Sequence, residues 1–214
     1  MSFFDPGRTS LKVCGVTREA DALRLVDMGV DAVGFNFWPK SKRYLDPEKA
    51  VWSLDLAEKI LRVGVFVNER GDLPYRLFGE GLIDVVQLHG DEAPEITANF
   101  VKAGIPVIKA VGVKDESDLS LAGRHDSDAI LLDAHAPQVF GGTGVTFDWR
   151  LAKRFQMDFP EKVLILAGGI TAENAAEAVR QVAPAALDVA SGAEISPGIK
   201  DFEKVAALLA ACRK

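Results

Sequence analysis

The chain alternates between short, nearly continuous apolar runs and longer segments in which apolar residues recur every three or four positions. Eight runs stand out: residues 11–14, 31–36, 62–67, 83–88, 106–110, 128–133, 163–167 and 186–190. They are rich in Val, Ile and Leu and bounded by Gly, Pro, Asn or Asp. Strands covered on both faces of a parallel sheet have this pattern. Between them the period changes to that of a helix. Residues 18–28 place Ala20, Leu23 and Val26 on one stripe, and residues 172–182 place Ala175, Ala178, Val179 and Val182 on another. Residues 202–212 align Phe202, Val205, Leu209 and Cys212. Thr17 and Thr171 stand where N-cap hydroxyls belong, and Asp201 precedes the last helix. Gly29, Gly81 and Gly104 follow helical stretches, as C-terminal caps do.

Eight strand-then-helix units predict an α/β fold, a single (β/α)8 TIM barrel spanning 1–214 as one domain. A doubly wound open sheet is the alternative. Eight strands in 214 residues, with no linker or low-complexity segment, favour closure. In a closed barrel the first and eighth strands are neighbours. Lys12 and Asp188 both take inward positions there, which predicts a buried ion pair sealing the barrel.

Composition narrows the partners. Apolar residues make up 48% and charged residues 26%, ordinary values for a soluble globular protein. A net charge of −6 offers no footprint for nucleic acid. No secretory signal and no run of membrane-spanning length is visible. Two cysteines form no disulfide framework and suit a reducing compartment, so a cytoplasmic location is expected.

The active site of such a barrel lies at the C-terminal ends of its strands. Cys14 ends the first run and Asp133 the sixth. A thiol and a carboxylate there suggest acid–base chemistry, although a cysteine is often a small buried hydrophobe. A carboxylate closing a run of Ile and Leu needs a partner or a purpose. Gln87 and His89 share one face of the fourth strand and are candidates to line the mouth, and His89 could equally be a satisfied structural histidine. His125 and His135 fall in loops with no evident partner, and Cys212 belongs to the core stripe of the last helix. Gly168-Gly169 and Ser191-Gly192 follow strands seven and eight, where barrels bind phosphate, although glycines also merely permit tight turns. Gly142, Thr143 and Gly144 lie in a glycine-rich loop after the sixth strand that could close over the same region. The basic run Lys40-Ser41-Lys42-Arg43-Tyr44 is either a solvated charge cluster or a carboxylate-binding loop.

Taken together, these pieces resemble one family. Lys12-Val13-Cys14-Gly15, the Pro39-to-Tyr44 run, Gln87-Leu88-His89-Gly90, Leu132-Asp133, Gly141-Gly142-Thr143-Gly144, Ala167-Gly168-Gly169, and Asp188-Val189-Ala190-Ser191-Gly192 followed by Pro197-Gly198-Ile199-Lys200-Asp201 occur in the order found in phosphoribosylanthranilate isomerases. Ala172 and Ala190 depart mildly from the family pattern. The resemblance implies an Amadori rearrangement in tryptophan biosynthesis: an aldose-to-ketose isomerisation of a phosphoribosyl anthranilate, without cofactor or metal, by a monomer or homodimer. It implies Cys14 as general base, Asp133 as general acid and Arg43 near the anthranilate carboxylate. The start of the helix near Arg18 is expected to lower the Cys14 pKa. Rival readings are another phosphosugar isomerase, such as the histidine-pathway enzyme, and a barrel that binds phosphosugar without turnover. The first typically uses two carboxylates, whereas the first strand here ends in a thiol.

Overall fold

The computed structural model describes residue 4 and residues 7–69, 71–134 and 147–213. Gly142, Thr143, Gly144 and His135 lie outside the described residues. Eight parallel strands close into a barrel in sequence order. They are β1 (Ser10–Cys14), β2 (Ala32–Asn36), β3 (Leu61–Phe66), β4 (Val85–Leu88), β5 (Val107–Val113), β6 (Ala129–Ala134), β7 (Val163–Leu166) and β8 (Ala186–Val189). The expected (β/α)8 barrel is therefore the observed one, and the open sheet is set aside because β8 pairs with β1. β4 starts two residues late. Asp84 there binds the Arg62 guanidinium and backbone N–H rather than extending the strand.

Among the described residues, seven α-helices return the chain: α1 (Glu19–Asp27), α2 (Leu73–Gly79), α3 (Pro94–Lys102), α4 (Glu116–Gly123), α5 (Trp149–Asp158), α6 (Ala175–Val182) and α7 (Phe202–Cys212). The crossover after β2 is made instead of two tighter 3-10 turns, Pro47–Lys49 and Val51–Leu56. Val, Trp, Ser and Asp in the second are weak helix formers, and Ala57 ends it in an extended conformation. A small hairpin, β9 (Glu194–Ser196) with β10 (Ile199–Lys200), sits between β8 and α7.

Capping explains where the helices begin. Asp201 accepts from the N–H groups of Glu203 and Lys204, so α7 starts where the sequence places it. Thr17 does not cap α1; its hydroxyl donates to the Gly198 carbonyl, and Arg18 takes the cap position without a side-chain bond. Thr171 does not cap α6. Its N–H donates to Asn174 Oδ1 and Asn174 Nδ2 donates to Gly169 O, which delays the helix to Ala175. Gly29, Gly81 and Gly104 close helices in the left-handed conformation, as expected.

Strand alternation divides the core in two. Leu11, Val13, Val86, Leu88, Leu132 and Leu166 face the helices. Ala32, Val63, Val85, Ile108, Leu131, Ile165 and Ala186 fill the barrel interior, joined by Phe4. Above that apolar layer lies a polar one containing the expected pair: Lys12 Nζ donates to Asp188 Oδ1 at 2.7 Å, and the two residues are direct partners across β1 and β8.

His125, expected in a loop without a partner, is buried. Its Nδ1 lies 3.4 Å from Thr97 Oγ1, and its carbonyl accepts from Lys162 Nζ. Burial, with Lys109 nearby, lowers its pKa to about 4. The unfolded chain therefore binds a proton at this histidine from about pH 6.5 downward while the folded protein does not until about 4. The sign follows: stability falls as pH drops through that window. Melting temperature should decline from pH 7 to pH 5, and His125→Gln should flatten that slope when followed by thermal denaturation across the same range.

Candidate active site

The polar layer opens at the C-terminal ends of the strands into a cavity of about 320 Å³. Cys14, Arg43, His89, Asp133, Gly168, Gly169 and Ser191 all line it, as do Lys40 and Lys42 from the basic loop. Gln87 and Gly192, expected to meet substrate, do not line it. Gln87 is completely buried one layer below the floor. Its side chain shares a face with His89, and an Nε2 to Nδ1 distance of 3.0 Å joins them. Gly192 is packed against the loop after β7, where a Cβ would collide with the Ile170 carbonyl.

Asp133 ends β6 at the cavity wall. Its Oδ1 accepts the N–H of Ala134 at 2.8 Å, and its Oδ2 lies 3.3 Å from His89 Nε2. His89 thus bridges Gln87, on its Nδ1 side, and Asp133, on its Nε2 side. Gly168, at φ +80°, is required beside it, because a Cβ there would fall 2.9 Å from Asp133 Oδ1 and closer still to the Ala134 nitrogen.

Cys14 ends β1, partly exposed to the cavity and otherwise enclosed by protein. That enclosure pushes its thiol above the usual pKa, against the pull of Lys12 and Lys200, while the Asp188 charge adds to the rise. The expected lowering by α1 is not what the structure gives. The helix starts only at Glu19, with no side-chain cap, and burial outweighs the cations. Burial alone would lower the Lys12 pKa, but Asp188 and, after it, Cys14 together overcome it and Lys12 ends above its ordinary value.

Arg43 is the one basic-loop cation whose partner is now visible. Its stem crosses the backbone of Gly15, where a Cβ would clash with Arg43 Cδ. Its Nε and Nη2 grip Glu194 at 2.7–3.0 Å. Glu194 also accepts from Lys200 Nζ at 2.7 Å and from Gly198 N–H at 3.1 Å. Lys200 Nζ reaches the Cys14 carbonyl at 2.6 Å. Burial opposes the Glu194 charge, yet Arg43 and Lys200 hold its carboxyl below the usual range. Sequence reasoning missed Glu194 and Lys200 as site residues. The signal was two opposite charges flanking Ser196-Pro197-Gly198, a turn that folds one onto the other. Among the described residues, no cluster of His, Cys, Asp and Glu is arranged to hold a metal ion, and no helix is long and apolar enough to cross a membrane.

The family model for N-(5'-phosphoribosyl)anthranilate isomerase matches residues 11–211. The chain belongs to that family. The isomerase of Syntrophus aciditrophicus is 43% identical over 96% of this chain and 88% of its own length. A crystal structure of the Thermotoga maritima enzyme superposes with a TM-score of 0.87 at 40% identity, covering 96% of this chain and 98% of that one. Another phosphoribosylanthranilate isomerase structure is in complex with reduced 1-(o-carboxyphenylamino)-1-deoxyribulose 5-phosphate (TM-score 0.84, 39% identity, 96% and 98% covered). A further Thermotoga maritima structure is described as monomers generated from a dimeric enzyme (TM-score 0.83, 38% identity, 96% and 98% covered).

Because Glu194 fixes the Nε–Nη2 edge of the Arg43 guanidinium, Glu194→Gln should free the arginine without removing it. The expected result is a KM raised about tenfold, the effect of roughly one charge-assisted hydrogen bond. Steady-state kinetics on the folded variant would check it, and an unchanged KM would rule out this orienting role.

Proposed function

We propose that this isomerase opens and rearranges N-(5-phosphoribosyl)anthranilate with Cys14 as general base and Asp133 as general acid. The observation that carries the reading is their placement: a thiol from β1 and a carboxylate from β6 line one cavity, with Arg43 beside the thiol. As general acid, Asp133 gives a proton to the furanose oxygen. The C1–O bond breaks, and the nitrogen lone pair makes the C1–N iminium. That cation acidifies the C2 hydrogen. The Cys14 thiolate takes it, and the C–H electron pair becomes the C1–C2 double bond of an enolamine. C1 then gains a proton and the C2 hydroxyl loses one, which leaves the ketone. Each positioned proton transfer contributes about 10²–10⁴-fold.

The remaining groups fit the two anionic ends of this substrate. Arg43 has two of its three guanidinium nitrogens held by Glu194, which leaves Nη1 for the anthranilate carboxylate. Gly168, Gly169 and Ser191, in the loops after β7 and β8, bring backbone N–H groups to the phosphate. Gly142, Thr143 and Gly144 belong to the same reading, as a further loop over the phosphate end. Gln87 acts through His89, and Gly192 through the shape of the β8 loop. The chain works as one domain, as a monomer or homodimer, and two free cysteines suit the reducing cytoplasm.

Substrate made in situ and followed by anthranilate fluorescence tests the roles. Cys14→Ser and Asp133→Asn should each lose at least about 10²-fold in kcat while still binding product. Near-normal turnover in either variant would remove that residue from its role.

A further inference from the structure

Resting on the reading of Cys14 as base, the problem is how a thiol that burial holds protonated becomes a thiolate at the moment it is needed. Four charged groups act on it, one from each side. Lys12 lies two residues back on the same face of β1, and Asp188 comes from β8. Lys200 comes from β10, its Nζ on the Cys14 carbonyl. Arg43 comes from the loop after β2. β2 itself contributes Gly34, which has no side chain. A Cβ at Gly34 would lie 2.7 Å from Cys14 Sγ and 3.1 Å from Lys12 Nζ, so that one missing methyl leaves the ammonium and the sulfur facing each other.

Two of the other charges are already committed. Arg43 is bound to Glu194, and Lys200 is shared between Glu194 and a carbonyl. Lys12 is tied to a single carboxylate oxygen, and among the described residues the other polar side chain it meets is the thiol. It does not line the cavity.

We propose that Lys12, held charged by Asp188, is the counter-ion of the Cys14 thiolate and the positioning residue that makes the base available. The thiolate forms against a fixed ammonium, takes the C2 hydrogen and becomes a thiol, and Lys12 keeps its proton throughout. The pKa directions agree with this geometry. Lys12 exerts the largest downward pull on the thiol, larger than the upward push of Asp188, and Asp188 keeps Lys12 charged against burial. A pair that only sealed the barrel would leave the thiol's reactivity untouched.

The test reads the thiol directly. Iodoacetamide alkylation of Cys14, resolved by peptide mass spectrometry across neutral to alkaline pH, gives its titration midpoint in the intact protein. Cys212 is buried with its thiol pushed up to about 12, and it serves as the unreactive internal control. Lys12→Met should move the Cys14 midpoint up by at least one unit, so that alkylation at neutral pH slows about tenfold. Lys12→Met leaves Asp188 buried and unpaired and can fail to fold, so the double variant Lys12→Met/Asp188→Leu removes both charges together. It should move the midpoint the same way, with the acid limb of kcat/KM following it and KM unchanged. An unmoved midpoint in the folded double variant would overturn the role of Lys12 and leave the base assignment standing. A moved midpoint with an unmoved rate profile would overturn the base assignment itself, and the role of Lys12 with it.

Discussion

Everything at the mouth of this barrel depends on where β8 meets β1. A closed parallel sheet has one seam at which the last strand must find the first, and a slip of one residue there would exchange its inner and outer faces. Lys12 and Asp188 meet across that seam in direct register, in a polar layer resting on Ala186, Ile165 and Leu131. A buried ion pair adds little net stability, but breaking one by removing a partner costs about 3–5 kcal/mol. Registers that part Lys12 from Asp188 carry that penalty; the observed one does not. The seam that closes the fold thus also sets the height at which Cys14 emerges.

Most of the frame was legible because burial on both strand faces leaves a simple trace in Val, Ile and Leu. All eight runs became strands, with ends shifted by a few residues. The start of α7 was readable because Asp201 uses its carboxylate on the first turn of that helix, on the N–H groups of Glu203 and Lys204 and on the Lys204 ammonium. α6 was not, because Asn174 spends its side chain on Thr171 and Gly169 instead of extending the helix. Strand parity correctly put Gln87 and His89 on one face, but parity carries no depth. Two residues along β4 separate a side chain at the cavity from one sealed beneath it. Glu194 and Lys200 were hidden for a different reason. Their partners, Arg43 and the Cys14 carbonyl, lie some 150 and 186 positions away in sequence, a distance across which local patterns say nothing.

The site also shows how an acidic protein can receive an anion. The net charge of −6 is offset locally by Lys40, Lys42 and Arg43 on the cavity wall, with Lys12 and Lys200 buried behind it. Three of these are themselves paired with buried carboxylates or carbonyls. Those three cations are therefore held in place rather than free to follow the ligand. Such preorganisation keeps donors aimed where charge develops, without reorganisation during the reaction.

The contact between Gly192 and the Ile170 carbonyl bears on how such barrels change over evolutionary time. The loops after β7 and β8 touch backbone to backbone, with no room even for a methyl group between them. Neither can lengthen, tilt or acquire a side chain at that point without displacing the other. Recombination that joins the last quarter of one barrel to the rest of another should therefore succeed when both loops travel together. A crossover placed between them would separate two surfaces shaped only to fit each other.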